Sequence, residues 1–172
     1  MPKAQFGELI PSTGFSTRLG SGTTDQLPNT PYDDKEVGKF VKLSAGSRYQ
    51  LAAVGDPIEG FIGSTEPATL DGYCYGTVYD RGRKRVTLDG LQATPGTGTI
   101  AVGDTVVVGT VVAKGTALTA PARVCKITDP TTVAGVLAVA IKPVWRVVEI
   151  FGTSGTPGTQ ALIERVNAGG SL

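Results

Sequence analysis

The chain has 172 residues, enough for one domain with an appendage, and 40% of them are hydrophobic, enough for a packed core. Charged residues make up only 18%, whereas Gly (24) and Pro (11) are frequent, which is typical of short strands joined by many turns. The net charge of +1 gives no general attraction to nucleic acid or to an anionic membrane. The absence of histidine excludes Ser-His-Asp and Cys-His catalysis and any histidine-ligated metal.

Two further features bear on location and ligands. No stretch approaches the length of apolar sequence that spans a bilayer, and the N-terminal M-P-K-A-Q-F-G-E-L-I lacks the apolar segment of a secretory signal. We therefore expect a protein that is made in a cytoplasm and has no membrane partner. No G-x-G-x-x-G or G-x-x-x-x-G-K-[ST] motif occurs, so no nucleotide cofactor is expected. Because the net charge is near zero and aromatic residues do not alternate with basic ones, no nucleic acid partner is expected either.

Residues 1–36 are predicted to form an extended N-terminal arm, because they are polar, rich in turn-forming residues and without a period of 2 or 3.6. Single apolar residues recur along this arm, and we expect them to contact a partner or a neighbouring subunit: Phe6, Leu9, Ile10, Phe15 and Leu19. Alone, the arm could not bury enough apolar surface to offset its ordering entropy. The alternative is an unstructured terminus in which these residues are incidental.

A β domain is predicted over residues 37–168, followed by a flexible tail at 169–172. Turn spacing and the Val, Thr and Gly content favour an all-β sandwich or barrel of roughly eight to ten strands with little helix. In the first strand, Lys39 and Lys42 are expected to face solvent. The predicted strands are 37–43, 48–54, 58–62, 73–79, 84–88, 123–127, 133–141, 144–151 and 160–166.

The stretch 98–115, G-T-I-A-V-G-D-T-V-V-V-G-T-V-V-A-K-G, is predicted to be the centre of the core. It is interpreted as two short strands meeting at the turn Gly103-Asp104, followed by a longer strand, because its valines are β-branched and nearly continuous. Four residues are predicted to be buried in the core: Val106, Val108, Val111 and Trp145.

Residues 73–79 alternate well and are expected to pair with 84–88 as a hairpin across the turn 80–83. One face of the first strand carries Tyr73, Tyr75 and Tyr79. That face is either a platform for a sugar or a protein partner, or a half-buried part of the core.

The hairpin turn carries the densest positive patch of the sequence: Arg81, Arg83, Lys84 and Arg85. These side chains either meet phosphate or an acidic protein surface, or form a solvated hairpin tip that needs no partner. They are therefore candidate contact residues, beside the apolar residues of the arm.

Cys74 and Cys125 lie in β-like runs, with no C-x-x-C spacing. We expect two small buried thiols rather than a disulfide or a zinc site. A short sequence repeat, V-G-D-x-[IV], occurs at 54–58 and 102–106. It marks either a duplicated β unit or the same turn chemistry used twice.

The polar arm, the compact β domain and turns such as V-G-D-P-I-E-G-F-I-G and A-V-G-D-T-V-V-V-G resemble the decoration (cement) proteins of tailed-bacteriophage heads. The resemblance implies a structural protein on the outer surface of the capsid, made in the host cytoplasm. Its partners would be the major capsid protein and itself, as a homo-oligomer with a trimer favoured over a dimer. The resemblance brings no catalytic residues, metal or cofactor.

Three other classes stay open at this point. A carbohydrate-binding or adhesin-type β-sandwich would favour exposed aromatic residues and an export signal. A tail or neck component of a virion shares the same composition. An enzyme would have to rely on paired carboxylates or a lysine.

Overall fold

The computed structural model describes residues 14–20, 31–67, 69–70, 72–128 and 144–166. The fold is all-β, as predicted, with strands over nearly half of the described residues and no α-helix among them. Within these ranges no helix is long and apolar enough to span a bilayer. The strands are β1 (Gly14–Arg18), β2 (Phe40–Ser44), β3 (Arg48–Leu51), β4 (Gly60–Glu66), β5 (Tyr75–Tyr79), β6 (Arg83–Leu91), β7 (Thr94–Pro95), β8 (Thr105–Val108), β9 (Arg123–Lys126), β10 (Val144–Phe151) and β11 (Gln160–Val166).

The strands form two sheets, and each sheet curls into a barrel. The first sheet has the order β1-β5-β4-β2-β3, and its two edges meet where Leu19 bridges Tyr49 and the Gly20 amide donates to the Tyr49 carbonyl at 2.8 Å. The second has the order β11-β10-β8-β9-β6-β7, and β11 also pairs with β6, which closes the barrel. Closure removes the exposed edges that open sheets must otherwise protect.

Each barrel has its own apolar interior. The first encloses a small cluster of buried residues: Leu19, Tyr32, Val41, Ile62, Cys74 and Val78. The larger cluster fills the second barrel and extends to the outer face of the first, where Phe61 packs against Trp145 with ring centroids 6.4 Å apart. The interior of the second barrel and the outer face of the first therefore share one core, whereas the interior of the first barrel is a separate cluster.

Strand β5 shows how the sequence pattern sets this arrangement. Gly76 and Val78 are buried, while Tyr75 and Tyr79 on the other face are half-buried. Tyr79 packs on Phe61 at 5.5 Å, and its ring lies against the bulge residue Gly63, where an added Cβ would overlap the ring. The alternation predicted for this strand is confirmed, and the tyrosine at its end is part of the barrel junction.

The repeated V-G-D sequence forms the same turn twice. The Ala53 amide donates to the Asp56 carboxylate at 2.7 Å, and the Ala101 amide donates to Asp104 at 2.8 Å. In both turns the glycine has positive φ, and the turn exchanges two backbone hydrogen bonds with a valine of a neighbouring segment. The two copies thus share one turn chemistry, while the strands that follow them differ in one partner: β4 pairs with β2 and β5, and β8 pairs with β9 and β10.

The predicted strands agree with the structure best near the C-terminus. The strands at 144–151 and 160–166 have the predicted bounds, and the other predicted strands that lie in the described residues differ by a few residues at one or both ends. Strand β1 was not predicted, because it lies in the segment predicted to be an arm. The predicted loop at 93–99 contains the short strand β7. The predicted strand at 133–141 lies outside the described residues.

The interpretation of the stretch 98–115 is wrong in part. Only residues 105–108 form a strand, and Val111, predicted to be in the core, is 45% exposed. The strand ends because the Thr110 amide donates to the Asp89 carboxylate at 2.8 Å instead of to a neighbouring strand. Val106, Val108 and Trp145 are buried, as predicted.

The predicted hairpin between 73–79 and 84–88 is also wrong. Strand β5 belongs to the first barrel and β6 to the second, so the turn between them connects the two sheets. Arg165 fixes this crossing, since its Nη1 donates to the carbonyl of Asp80 and, at 2.9 Å, to the Asp80 carboxylate.

The boundary predicted between an arm and a domain at residue 36 does not coincide with a structural division. Strand β1 pairs with β5 over five residues, and Leu19, Tyr32 and Glu36 are all buried. Leu19, predicted to contact a partner, therefore lies inside the first barrel. Residues 1–13 and 21–30, with Phe6, Leu9 and Ile10, lie outside the described residues, as does the tail predicted at 169–172.

Replacement of Trp145 by Ala should lower the free energy of unfolding by about 3–5 kcal/mol, because the side chain is 1% exposed at the barrel junction. Urea denaturation measures the change. Val102→Ala is the matched control, since Val102 is 61% exposed, and should change the free energy of unfolding by less than about 0.5 kcal/mol. Equal effects of the two substitutions would contradict the assignment of Trp145 to the core.

Candidate functional site

Phe15 lies at one end of the first barrel, where it contributes to an exposed aromatic patch. We use this name for Phe15, Tyr49 and Leu43. The Phe15 and Tyr49 rings meet edge to face at 5.6 Å, and Leu43 is the cross-strand neighbour of Tyr49. Phe15 is 39% exposed and Leu43 53% exposed, so the patch presents apolar surface to solvent. Sequence analysis identified Phe15 but not Tyr49 or Leu43.

A rim of charged residues borders the aromatic patch. Phe15 pairs with Val78 and Gly14 with Tyr79, so the chain that follows Tyr79 begins beside β1. We use the name charged rim for Asp80 with its partners Arg81 and Arg165, which come next to the patch, and for the Arg83–Glu164 pair, which continues these charges along β6 and β11. Burial, and then the charges of Glu59 and Asp80, raise the pKa of Tyr49, which places acidic groups close to the patch. An apolar centre with a charged border is the usual anatomy of a protein–protein interface.

The charges of the rim are largely balanced within the protein. Arg83 pairs with Glu164 at 2.9 Å, and Arg165 pairs with Asp80 at 2.9 Å. Arg81 lies 3.8 Å from Asp80 and is the most exposed of these cations. The balance argues against a phosphate site on this turn and favours contact with a protein surface of mixed charge.

The four basic residues predicted as one patch do not lie together. Because side chains alternate along a strand, Lys84 faces the interior, where its Nζ lies 3.9 Å from the centre of the Phe61 ring. Arg85 lies over the Phe151 ring at 4.9 Å, and Arg83 belongs to the charged rim. Arg81 and Arg83 thus stay candidate contact residues, whereas the prediction for the buried Lys84 is wrong.

The tyrosine face predicted on 73–79 is largely occupied by the protein itself. The Arg18 guanidinium lies 3.5 Å from the centre of the Tyr73 ring, and Tyr79 packs on Phe61. A sugar-stacking platform needs open ring faces, so this geometry favours the half-buried interpretation of the tyrosines.

Both cysteines are free and buried, as predicted. Burial, followed by the charge of Asp89, raises the pKa of Cys125 to about 11, so the thiol is protonated at neutral pH. In the described part of the chain, no three Cys, Asp or Glu side chains come together as the ligands of a metal would.

A second feature, the inter-barrel cleft, lies between the first barrel and the irregular segment 109–122. Its volume is about 200 Å³. Its walls are largely apolar and include two cationic residues, Lys39 and Arg123. The residues that line the cleft are Lys39, Phe40, Leu51, Ala52, Val108, Thr110, Val111, Val112, Leu118, Thr119, Ala120, Pro121, Ala122 and Arg123.

Two buried carboxylates hold the segment 109–122 in place, and the sequence analysis found neither. Glu36 is fully buried and accepts from the Gly115 amide at 2.6 Å, while the Lys39 Nζ donates to the Ala113 carbonyl at 2.8 Å. Burial lowers the pKa of Lys39, and the nearby Glu36 charge opposes this effect. Lys39, expected to face solvent, is thus part of a buried ion pair with Glu36 at 3.4 Å. The acid–base spacing of three residues is a signal that could have suggested it.

Asp89 anchors the two ends of the segment. Its carboxylate accepts from the Thr110 amide at 2.8 Å, from the Thr110 hydroxyl at 2.6 Å and from Arg123 Nη1 at 3.0 Å. Burial alone would raise the pKa of Asp89, but the hydrogen bonds from Thr110 and Arg123 outweigh it and hold the pKa below its usual value. The ionised carboxylate is therefore the form that the fold stabilises.

No family model, curated protein or solved structure matches this chain. We accordingly infer function from the aromatic patch and the charged rim.

Asp89→Asn should lower the free energy of unfolding at pH 7 by about 1–3 kcal/mol, because buried hydrogen-bonding groups lose a charged partner. Since the folded-state pKa lies below the unfolded value of about 3.9, the carboxylate stabilises the fold above that pH and loses its effect as pH falls through the folded pKa. Urea denaturation at pH 7 and pH 3 should show the difference from wild type shrinking in acid. Glu149→Gln, on an exposed residue, is the control. A difference that is the same at both pH values would contradict this role for Asp89.

Proposed function

We propose that this protein is a structural component of a tailed-bacteriophage head that binds the outside of the assembled shell and stabilises it by bridging major capsid protein subunits. The observation that carries the proposal is the position of Phe15. This residue belongs to β1, which is held by a five-residue ladder, and also to the exposed aromatic patch. Residues 1–13, with their spaced apolar side chains, are therefore joined to the barrel at the patch itself.

The barrel surface and the segment before β1 have complementary roles in this proposal. The aromatic patch and charged rim form a rigid contact surface on the barrel, while Phe6, Leu9 and Ile10 bind along the shell or a neighbouring subunit. Each apolar side chain that becomes buried contributes about 1.5–3 kcal/mol, and backbone ordering costs about 1–2 kcal/mol per residue. A single arm of this kind binds weakly, so attachment depends on the fixed surface beside it.

Repetition supplies the remaining affinity. In a symmetric homo-oligomer, with a trimer favoured, the same weak contact recurs on each subunit, and later contacts form at high effective concentration. Binding to the assembled shell in preference to its free subunits shifts the equilibrium toward the assembled state. In this proposal the protein is made in the host cytoplasm and has its final location on the outer surface of the virion head.

The double substitution Phe15→Ser and Leu43→Ser should abolish co-sedimentation with purified empty shells, because it removes the apolar centre of the patch. Val54→Ser with Val102→Ser is the matched control, since those valines are 48% and 61% exposed and lie outside the patch. The control should bind like the wild type, and a melting curve of each variant checks that it is folded. Wild-type binding by the patch variant would move the contact surface elsewhere; binding to isolated tails or necks but not to shells would assign the protein to that part of the virion.

Two N-terminal deletions should behave differently. Removal of residues 1–13 should weaken shell binding while leaving the melting temperature within a few degrees of wild type. Removal of residues 1–36 should abolish the cooperative melting transition, because β1 and the buried Leu19, Tyr32 and Glu36 are lost with it. Unchanged shell binding after the shorter deletion would refute a contact role for Phe6, Leu9 and Ile10.

A further inference from the structure

The first barrel closes along only one end of β1, and the rest of this strand has an open edge. Closure depends on the bridge between Leu19 and Tyr49. This bridge is parallel, so β3, which begins at Arg48, lies beside the end of β1 and does not extend beside residues 14–17. In the described part of the chain, β5 is the only strand that pairs with this stretch.

The hydrogen bonds at the end of β1 identify the backbone groups that face the open edge. The Leu19 amide donates at 2.9 Å to the carbonyl directly opposite, just before β5. Because hydrogen-bonded pairs alternate along an antiparallel ladder, Phe15 and Thr17 also direct their amide and carbonyl groups to β5. Gly14 and Ser16 consequently direct theirs to the open edge.

Within the described residues, the open edge has none of the features that usually prevent a second chain from adding to a sheet. Such features are lysine, proline, a bulge or a covering segment. Strand β1 has the sequence G-F-S-T-R, its register with β5 is regular, and its first three residues are exposed. Phe15 of this strand also belongs to the exposed aromatic patch. Free backbone groups and an apolar surface thus occur together, as strand addition requires.

Residues 1–13 have the properties of a strand that fits this edge. Between Pro2 and Pro11, every residue has an amide that can donate to a sheet. Phe6 and Ile10 are four residues apart and share one face of an extended chain. The segment joins the barrel at Gly14, which is the end of the open edge itself.

Turn chemistry disfavours the addition of this segment to its own β1. The chain would have to reverse at Ser12 and Thr13, and a two-residue hairpin turn favours residues with positive φ, which β-branched threonine rarely adopts. A three-residue turn usually ends in a glycine of positive φ, but Gly14 does not have positive φ and pairs with Tyr79 in the ladder. The open edge of a second copy does not require this reversal.

From these observations we infer that residues 3–10 of one copy add as a strand to the open edge of β1 in a second copy. Phe6 and Ile10 then lie beside the aromatic patch and enlarge it, so the contact surface is built from two copies. Only residues 11–13 link the added strand to its own β1. Three residues span about 10 Å, so the β1 strands of neighbouring copies lie close together around the symmetry axis. The exchange is head-to-tail and closes into a ring, such as a trimer.

The inference rests on the proposed function, because it names the neighbouring subunit as the partner of residues 1–13. Its test uses no shells, and the two proposals therefore fail separately. Failure of the measurements below leaves shell attachment standing, whereas loss of shell binding by an intact oligomer leaves the strand exchange standing.

Sedimentation of the purified protein tests the exchange. We expect a closed oligomer for the wild type and a monomer after removal of residues 1–13. Ser16→Pro removes an amide that faces the open edge and does not donate to β5, so this variant should also be a monomer. Ser16→Ala keeps the amide and is the matched control, which should assemble like the wild type. A monomeric wild type, or an oligomer that survives the deletion or the folded proline variant, would overturn the inference.

Hydrogen exchange locates the added strand without the proline variant. The Ser16 amide should exchange about tenfold or more faster once residues 1–13 are removed, whereas the Thr17 amide, which faces β5, should not change. A peptide of residues 1–13 should restore slow exchange of Ser16 in the shortened protein. The same peptide with Phe6→Ser and Ile10→Ser should bind about tenfold or more weakly. Equal exchange of Ser16 with and without residues 1–13 would overturn the inference, and slow exchange of Ser16 in a monomer would overturn the assignment to a second copy.

Discussion

Backbone pairing between β11 and β6 is the contact on which the larger barrel depends. Residues 160–164 pair with 83–87 and bring the last described strand against the first strand of the same sheet. This closure surrounds Val86, Val147 and Ile163 with strands on every side, so that their burial does not require a second layer. It also fixes the end of β11, where Arg165 reaches Asp80 and sets the passage of the chain from one barrel to the other.

The alternation of apolar and polar residues was sufficient to predict strands whose backbone pairs with neighbouring strands. The segment 144–151 alternates between buried and exposed positions, and its predicted bounds agree with the structure. The valines at 111–112 have an equally strong strand preference, yet they lie in an irregular segment because the Thr110 amide is bound by a carboxylate 21 residues away in the sequence. A propensity argument does not include such a partner, and it also cannot decide whether two adjacent strands share a sheet.

The predicted contact residues show the same limit of prediction from local sequence. Phe15 and Leu19 are similar apolar residues in a polar segment, but Phe15 on β1 is exposed, whereas Leu19, four positions further along the chain, lies inside the barrel. Arg83 and Lys84 are neighbours in sequence and point to opposite faces of β6. Composition could identify the class of fold and one residue of the exposed aromatic patch, Phe15. The pairing of Phe15 with Tyr49, and the burial of Glu36 and Asp89, depend on contacts between distant segments that only the folded chain provides.

The attachment of β1 has a mechanical consequence. A load applied through residues 1–13 enters the fold at Gly14, and the ladder between β1 and β5 runs from there to Arg18. When the pull is directed along the strand, the hydrogen bonds of this ladder are loaded together instead of being opened one by one. Leu19 is seated in the barrel interior immediately after the ladder, and the Gly20 amide is bound to β3, so sliding of β1 must also withdraw a buried side chain. Resistance to such a pull is a property of the unfolding rate, and it is therefore set by the barrier to extracting β1 rather than by the equilibrium stability of the whole chain.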